Sequence, residues 1–335
     1  MAAIIRFFLL PGVLPLVASL LPLRLAPDGR TFAIDATPVC IDLRPASHAT
    51  QPGACSVPLA TLERRLFELP PPGEWPLELV GTSEQLAAAR ELLYPKGWRA
   101  REIEIGADAS ADAAAGAPAA ASPYRPNSFL AAALDALPEL DHAALPGLAV
   151  DLGCGSGRDA VHLAHVLSQR APRWSVVGVD NHVAALDRGR LLAKRVLPGA
   201  KGDDGGSDGS LPTTRCDFVA ADLRKRGLET LLDSRPDAPL RLVHGCRWLD
   251  VKLLSEIPAL LAPGGYFLWS TFLDPPDGSE PLAPPYRRSR RLSSGQMREL
   301  LGESAGMRVL YDGEGELLTR GTWIPAQFFC AQRLE

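Results

Sequence analysis

The residues with the most chemical content stand together at Val150-Asp151-Leu152-Gly153-Cys154-Gly155-Ser156-Gly157. Glycines at alternate positions let a backbone turn tightly and approach a ligand with no Cβ in the way. A helix starting behind such a turn offers unpaired N–H groups. In an open α/β sheet, ligands bind beyond the carboxyl ends of the strands. The chemistry expected is therefore cofactor binding, against a plain alternative of a tight turn that holds nothing. Which cofactor is open at this point. Gly155-Ser156-Gly157-Arg158-Asp159-Ala160 also fits the dinucleotide pattern G-x-G-x-x-A, with Asp180 about 20 residues further on. Three features weigh against a dinucleotide. Asp151, two residues before the first glycine, suits a ligand ammonium better than a pyrophosphate. Asp222, after a third apolar run (Phe218–Ala221), could meet an adenine amino group. Pro263-Gly264-Gly265 then turns into the run Tyr266–Thr271.

Other side chains could do chemistry at the same rim. His182, His244 and Cys246 fall at the carboxyl ends of the second and fourth predicted strands. Each could touch an acceptor or act as a base, or serve only packing. Trp248 is a candidate pocket wall. The run Arg287-Arg288-Ser289-Arg290-Arg291 could meet an anion, or be a solvated loop.

The elements needed to position these residues alternate along the chain. After residue 122, strands are expected at Leu148–Leu152, Ser175–Asp180, Phe218–Ala221, Leu240–His244 and Tyr266–Thr271. Helices are expected at Asp159–Arg170, Val183–Leu197, Val251–Leu261 and Ser294–Ala305. Alternating βα units predict a parallel sheet with helices on both faces. Two last strands, Arg308–Tyr311 and Gln327–Ala331, have no helix between them and should pair antiparallel.

At this level the chain resembles the class I S-adenosylmethionine-dependent methyltransferases, over about residues 123–333. Asp151 to Gly157 looks like their glycine-rich first motif. Asp180 matches the acid that ends their second strand and holds the ribose, and Asp222 the acid near the adenine. The resemblance implies a Rossmann-like, seven-stranded α/β sheet with the last strand antiparallel. It implies S-adenosyl-L-methionine as cofactor, bound by Asp151, Gly153, Cys154, Gly155, Gly157, Asp180, Asn181, Asp222 and Leu223. Finer resemblance is to the tellurite-resistance and thiol-methylating subgroup, carried by Tyr124-Arg125-Pro126-Asn127-Ser128-Phe129-Leu130, Arg158-Asp159-Ala160, Arg247-Trp248-Leu249 and Ser270-Thr271-Phe272. It implies a small-molecule methyl acceptor, with Arg125, Arg247 and Trp248 on the substrate side. That subgroup tends to carry a His where this chain has Leu249-Asp250, so the role of that His is not carried over. Candidate catalytic groups are His182, His244, Cys246 and Arg247. The rival readings are a cofactor-binding scaffold without catalysis and an NAD-dependent oxidoreductase.

Ahead of residue 106, Cys40-Ile41-Asp42-Leu43-Arg44-Pro45 and Gln51-Pro52-Gly53-Ala54-Cys55 resemble the framework of a smaller α/β rhodanese-like domain, over about residues 30–105. A working rhodanese carries a nucleophilic Cys in a loop after the next core strand. Here Leu77–Val80 is followed by Gly81-Thr82-Ser83-Glu84-Gln85, so no sulfur transfer is expected. Ser83 is the expected cap of a helix Ser83–Leu93. The alanine-rich stretch 106–122 has no large apolar residue and reads as a linker to a methyltransferase domain at 123–335. The stretch 199–210 reads as a low-complexity surface loop within that domain.

Residues 1–29 form an apolar leader. Pro11, Pro15 and Pro22 oppose a membrane helix, so any membrane association is expected through this leader alone. A targeting role there would place the protein in a mitochondrion or plastid; otherwise the cytoplasm is expected. The composition is ordinary for a globular chain, with 46% hydrophobic and 22% charged residues in 335, which excludes disorder throughout. A net charge of −4 argues against a nucleic-acid-coating surface. The six cysteines fit no zinc spacing, so no metal is expected and all six are expected to be reduced thiols.

Overall fold

The computed structural model describes residues 23–24, 31–32, 37–45, 53–106, 122–137, 140, 145–171, 173–197, 216–275, 291–319 and 322–334. The leader other than Leu23–Arg24, the linker interior 107–121, the loop 199–210 and positions 287–290 of the arginine run lie outside the described residues.

Two short strands, β1 (Leu23–Arg24) and β2 (Thr31–Phe32), pair antiparallel. A small sheet follows, built from β3 (Val39–Asp42), β4 (Cys55–Ser56), β5 (Leu77–Gly81) and β6 (Arg101–Glu104). Its order is β4-β3-β5-β6 and every pairing is parallel. Its core is apolar: Val39, Ile41 and Leu43 pack with Leu62 of α1 (Leu59–Leu62) and with Leu86, Ala89 and Leu93 of α2 (Ser83–Leu93). One charged pair is admitted because it is complete. Arg44 donates through Nε to Asp42 Oδ1 at 3.0 Å and through Nη2 to Oδ2 at 2.8 Å. Thr82, one residue before the expected cap, caps α2. Its hydroxyl accepts from Gln85 N, and the Gln85 side chain accepts from Thr82 N at 3.0 Å, a reciprocal capping box. Gly81 therefore ends the strand and Thr82 already belongs to the helix cap. No loop separates them in which a thiol could sit.

The larger unit opens with α3 (Ser128–Asp135), which the strand pattern alone did not anticipate. Then come β7 (Gly147–Leu152), α4 (Arg158–Arg170), β8 (Trp174–Asp180), α5 (Val183–Val196) and β9 (Cys216–Ala220). Two short helices, α6 (Leu223–Arg226) and α7 (Glu229–Asp233), lead to β10 (Leu240–Cys246). The chain continues through α8 (Val251–Leu260), β11 (Tyr266–Leu273), β12 (Arg291–Leu292), α9 (Gln296–Leu301), β13 (Met307–Thr319) and β14 (Thr322–Arg333).

The seven-stranded Rossmann-like order is β13-β14-β11-β10-β7-β8-β9. β14 runs antiparallel to both its neighbours, and the pairings among β11, β10, β7, β8 and β9 are parallel. The two-residue β12 adds an eighth strand beside β11. β7 is buried along its whole length, as a central parallel strand covered on both faces must be. Its residues alternate between the faces. Leu148, Val150 and Leu152 face a core with Leu253, Ile257 and Met297. Ala149 faces the other, with Phe129, Val161, Leu167 and Leu186.

Three differences from the sequence reading have local causes. β10 runs on through Gly245 to Cys246, because Gly245 leaves room for the Trp269 ring; a Cβ there would lie 2.3 Å from it. The helix expected over 294–305 shortens to α9, since Gly302 is extended and a short 3-10 turn, Glu303–Ala305, follows. The terminal strands lengthen into one hairpin. Gly313 does not break it, because the Tyr311 hydroxyl occupies the space where a Cβ would stand.

Candidate active site

The turn from β7 into α4 holds three left-handed glycines, Gly153 (φ +70°), Gly155 (φ +54°) and Gly157 (φ +69°). The N–H groups of Gly153 and Cys154 donate to Val179 O at 2.8 and 3.0 Å, which ties the turn to the end of β8. The three glycines differ in what they face. A Cβ on Gly153 would lie 2.6 Å from the Trp248 ring, and one on Gly157 would lie 2.2 Å from Phe218. A Cβ on Gly155 would meet nothing within 4 Å. Close packing thus demands glycine at 153 and 157, and only Gly155 turns its bare Cα to open space.

Beside the turn lies a cleft lined by Gly153, Val179, Asp180, Asn181, Ala221, Asp222, Leu223, Arg224 and Trp248. It sits at the carboxyl ends of β7, β8 and β9, where the strand order reverses. Asp180 accepts from Gly155 N at 2.9 Å and from His182 N at 2.8 Å. These bonds fix the carboxylate against the glycine turn. Asp222 caps α6 by accepting from Arg224 N at 3.2 Å, with Lys225 Nζ at 3.5 Å. Cys154 does not line the cleft. Its sulfur packs towards Gly178, and burial pushes its thiol far above the ordinary range.

Beneath the turn is a buried polar cluster. Asp151 is 2 % exposed, and its Oδ2 has no hydrogen-bond partner. His244 is fully buried in β10, directly opposite Asp151 in the sheet register. Its Nε2 lies 3.3 Å from Asp159 Oδ2 and 4.0 Å from Asp151 Oδ1. Burial opposes the charged imidazole, but the bond to Asp159 and the charge of Asp151 outweigh it and hold His244 above its ordinary value. Burial pushes Asp151 up to about 7, against the pull of His244. Burial also acts on Asp159, but the His244 bond and the Asn127 N–H, at 2.7 Å, hold it below the usual range. An acceptor oxygen without a donor, under a glycine turn, is suited to a cationic or N–H-bearing ligand group.

The remaining sequence candidates are distributed as follows. His244 is in the sheet interior, so it is not at the rim where an acceptor could reach it. The strand is two residues longer than expected and carries His244 inward. His182 is exposed and caps α5, its Nδ1 accepting from Ala185 N at 3.1 Å. Cys246 is half-buried and takes a contact from Asn127 Nδ2 at 3.6 Å; burial pushes its thiol up to about 12, so it is no thiolate at neutral pH. Arg247 is the one non-glycine residue with positive φ (+59°) among the described residues, and its Nη2 donates to Glu74 Oε1 at 3.0 Å. Trp248 lines the cleft and packs against Gly153. The Arg125 guanidinium lies 6.0 Å from the Trp75 ring centre. Of the arginine run only Arg291 is described; it is buried and lies 3.5 Å from Asp274.

Four residues at this site carried no assignment from the sequence: Asp159, Asn127, Glu74 and Trp75. Asn127 had a legible signal, an N-cap side chain before Ser128-Phe129-Leu130. Its Oδ1 accepts from Leu130 N at 3.1 Å. Glu74 and Trp75 had none, because they reach the site from the small sheet's side, some 50 positions away. No group of acidic, histidine or cysteine side chains among the described residues is placed to hold a metal ion.

Comparison with known proteins gives fold likenesses only. No family model matches, and no curated protein matches. Among solved structures, TehB from Haemophilus influenzae is similar with a TM-score of 0.43 and 14% identity, over 63% of this chain and 64% of that one. A SAM-dependent methyltransferase from Methanosarcina mazei has a TM-score of 0.38 and 20% identity, over 56% and 93%. Magnesium protoporphyrin IX methyltransferase from Synechocystis, solved with bound SAH, has 0.38 and 19%, over 60% and 81%. The fold itself is read from the strand order β13-β14-β11-β10-β7-β8-β9.

Proposed function

We propose that this chain is an S-adenosylmethionine-dependent methyltransferase that methylates a small molecule by in-line displacement. The observation that carries the reading is the unpartnered Asp151 Oδ2 buried beneath the Gly153–Gly157 turn, the same turn whose Gly153 lines a cleft with Asp180 and Asp222. A dinucleotide would bring a pyrophosphate to that turn, next to a buried acid. The methionine ammonium would bring a donor for Asp151 Oδ2.

The residues present fit the cofactor. Gly155 leaves open space at the turn, Asp180 keeps acceptor capacity for ribose hydroxyls, and Asp222, Asn181 and Leu223 border the adenine side. When bound, S-adenosylmethionine would supply an electrophilic methyl on a sulfonium. The protein's own part is to bind, align and exclude water. Asp151 orients the amino-acid end, and the rigid turn sets the distance to Asp180. The candidate groups leave little for a base to do. His182 is engaged at a helix cap, His244 is enclosed, Cys246 keeps its proton and Arg247 is paired with Glu74. An acceptor that needs no strong base, such as a soft thiol or metalloid anion, suits this arrangement.

We infer that the 30–105 unit is a packing module that carries out no sulfur transfer, since Thr82 caps α2 immediately after β5 and leaves no thiol loop. Calorimetry on the full chain tests the main reading. S-adenosylhomocysteine should bind one-to-one and NADH should give no heat; binding of NADH in place of S-adenosylhomocysteine would replace this reading with an oxidoreductase.

A further inference from the structure

Glu74 lies in the turn between the helices of the small unit and β5, yet its three donors among the described residues come from the larger unit. Its Oε2 accepts from Ser128 N at 2.8 Å and from Asn127 Nδ2 at 3.1 Å, and its Oε1 accepts from Arg247 Nη2 at 3.0 Å. The carboxylate is only 6 % exposed. Its neighbour Trp75 donates from Nε1 to Pro126 O at 2.8 Å. Glu68, 1 % exposed, pairs with Arg65 of its own unit and with Arg195 of α5, and Arg158 Nη2 reaches Phe67 O at 3.5 Å. The small unit is thus seated, with a desolvated charge at the middle of the contact.

The residues that Glu74 grips lead inward. Asn127 donates its backbone N–H to Asp159 Oδ1, Asp159 Oδ2 faces His244 Nε2, and His244 faces Asp151 Oδ1. The other branch holds Arg247, whose left-handed backbone at the end of β10 is a strained conformation for a non-glycine residue. Strain of this kind persists only where neighbours over-determine it. Its N–H donates to Ser270 O at 2.8 Å and its guanidinium to Glu74.

We propose that Glu74 is a positioning residue of the active site, through which the N-terminal unit sets the amino-acid end of the cofactor pocket by way of Asn127, Asp159, His244 and Asp151. This rests on the methyltransferase reading for the identity of the ligand, though not for the wiring. Replacing Glu74 by Gln tests it with little change of shape. A carboxylate with three donors becomes an amide with one oxygen and an NH₂ that must face a donor. Either the Arg247 guanidinium or the Asn127–Ser128 corner then loses its bond to residue 74.

The experiment compares the full-length wild type, Glu74→Gln and a surface control, Glu91→Gln. Two ligands are titrated: S-adenosylhomocysteine, which has the amino-acid end, and 5′-methylthioadenosine, which lacks it. Amide exchange is followed over 123–130 and 244–250. In Glu74→Gln, S-adenosylhomocysteine affinity should fall about fivefold or more, the lower range for coupled sites, with methylthioadenosine unchanged within about twofold. The Asn127 and Ser128 amides should exchange faster than in the control. A variant that binds both ligands like wild type with unchanged exchange, or weakens both equally, overturns the proposal. If Glu74→Gln does not fold, the wild type decides alone. Coupling is reciprocal, so S-adenosylhomocysteine should slow exchange of the Gly73, Glu74 and Trp75 amides as well as those in 123–130, and protection confined to the glycine turn would overturn it. If the wild type binds neither ligand, the methyltransferase reading fails, and the exchange in Glu74→Gln still decides whether Glu74 holds the Asn127–Ser128 corner.

Discussion

The glycine turn predicts two alanine variants that separate stability from binding. Gly155 and Gly157 share a left-handed backbone, φ +54° and +69°. An alanine in that conformation costs roughly 1–2 kcal/mol. At Gly155 that is the whole cost, because a Cβ meets nothing within 4 Å. At Gly157 the Cβ would stand 2.2 Å from Phe218 Cε1 and 3.2 Å from Gly189 Cα. The Phe218 ring is itself held against Gly178 and Gly189, so it has little room to withdraw. Overpacking of this kind adds roughly 1–3 kcal/mol. Gly157→Ala should therefore lose about 2–5 kcal/mol and Gly155→Ala about 1–2 kcal/mol. Urea unfolding of each variant measures this through the shift in midpoint. Calorimetry with S-adenosylhomocysteine should show the opposite ranking, with Gly155→Ala the more damaged wherever enough Gly157→Ala is folded to measure. Equal destabilisation by the two, or undiminished binding by Gly155→Ala, would refute the assignment of Gly155 as the residue that admits the ligand.

Three further predictions concern Asp151, His162 of α4 and the cap of α2. S-adenosylhomocysteine affinity should rise as pH increases through about 7, where Asp151 ionises and can accept from the ammonium, and Asp151→Asn should flatten that rise. Burial lowers His162 to about 4, so the folded state takes up its proton later than the unfolded chain does. Stability should fall between about pH 6.5 and pH 4 by an amount on the order of 3 kcal/mol, and His162→Gln should reduce that loss in urea melts at pH 5 against pH 8. Thr82→Ala removes one half of the capping box and should cost about 1 kcal/mol in the same melts; no change would mean that α2 is held by packing alone.

Much of this was legible from the sequence because the relevant signals are local. The Asp151–Gly157 turn is written in alternate glycines between an apolar strand and a helix, and Asp180 and Asp222 each end a short apolar run. Those three features place the cleft. What was not legible depends on distant chain. Whether His244 points to solvent or inward is decided by two more residues of β10, and these pair because Gly245 admits the Trp269 ring. Glu74 is one acid among many in the sequence until the small sheet docks and brings it to Asn127 and Arg247. The hairpin β13–β14 runs well beyond the two short strands expected there, through Gly313 and Gly315, whose faces are filled by the Tyr311 hydroxyl and the Phe328 ring. The cap of α2 was missed by one position because Thr82 and Ser83 are equally good caps by type, and only the reach of Gln85 selects between them.

In the proposed function, Asp151 and Asp180 together hold S-adenosylmethionine at the glycine turn. The most direct test is a crystal structure of the full chain with S-adenosylhomocysteine. It should show the ammonium at Asp151 Oδ2, directly or through one water, the ribose hydroxyls on Asp180, and Gly155 against the ligand. Density for the ligand elsewhere, or a turn that binds a pyrophosphate-bearing cofactor instead, would contradict it.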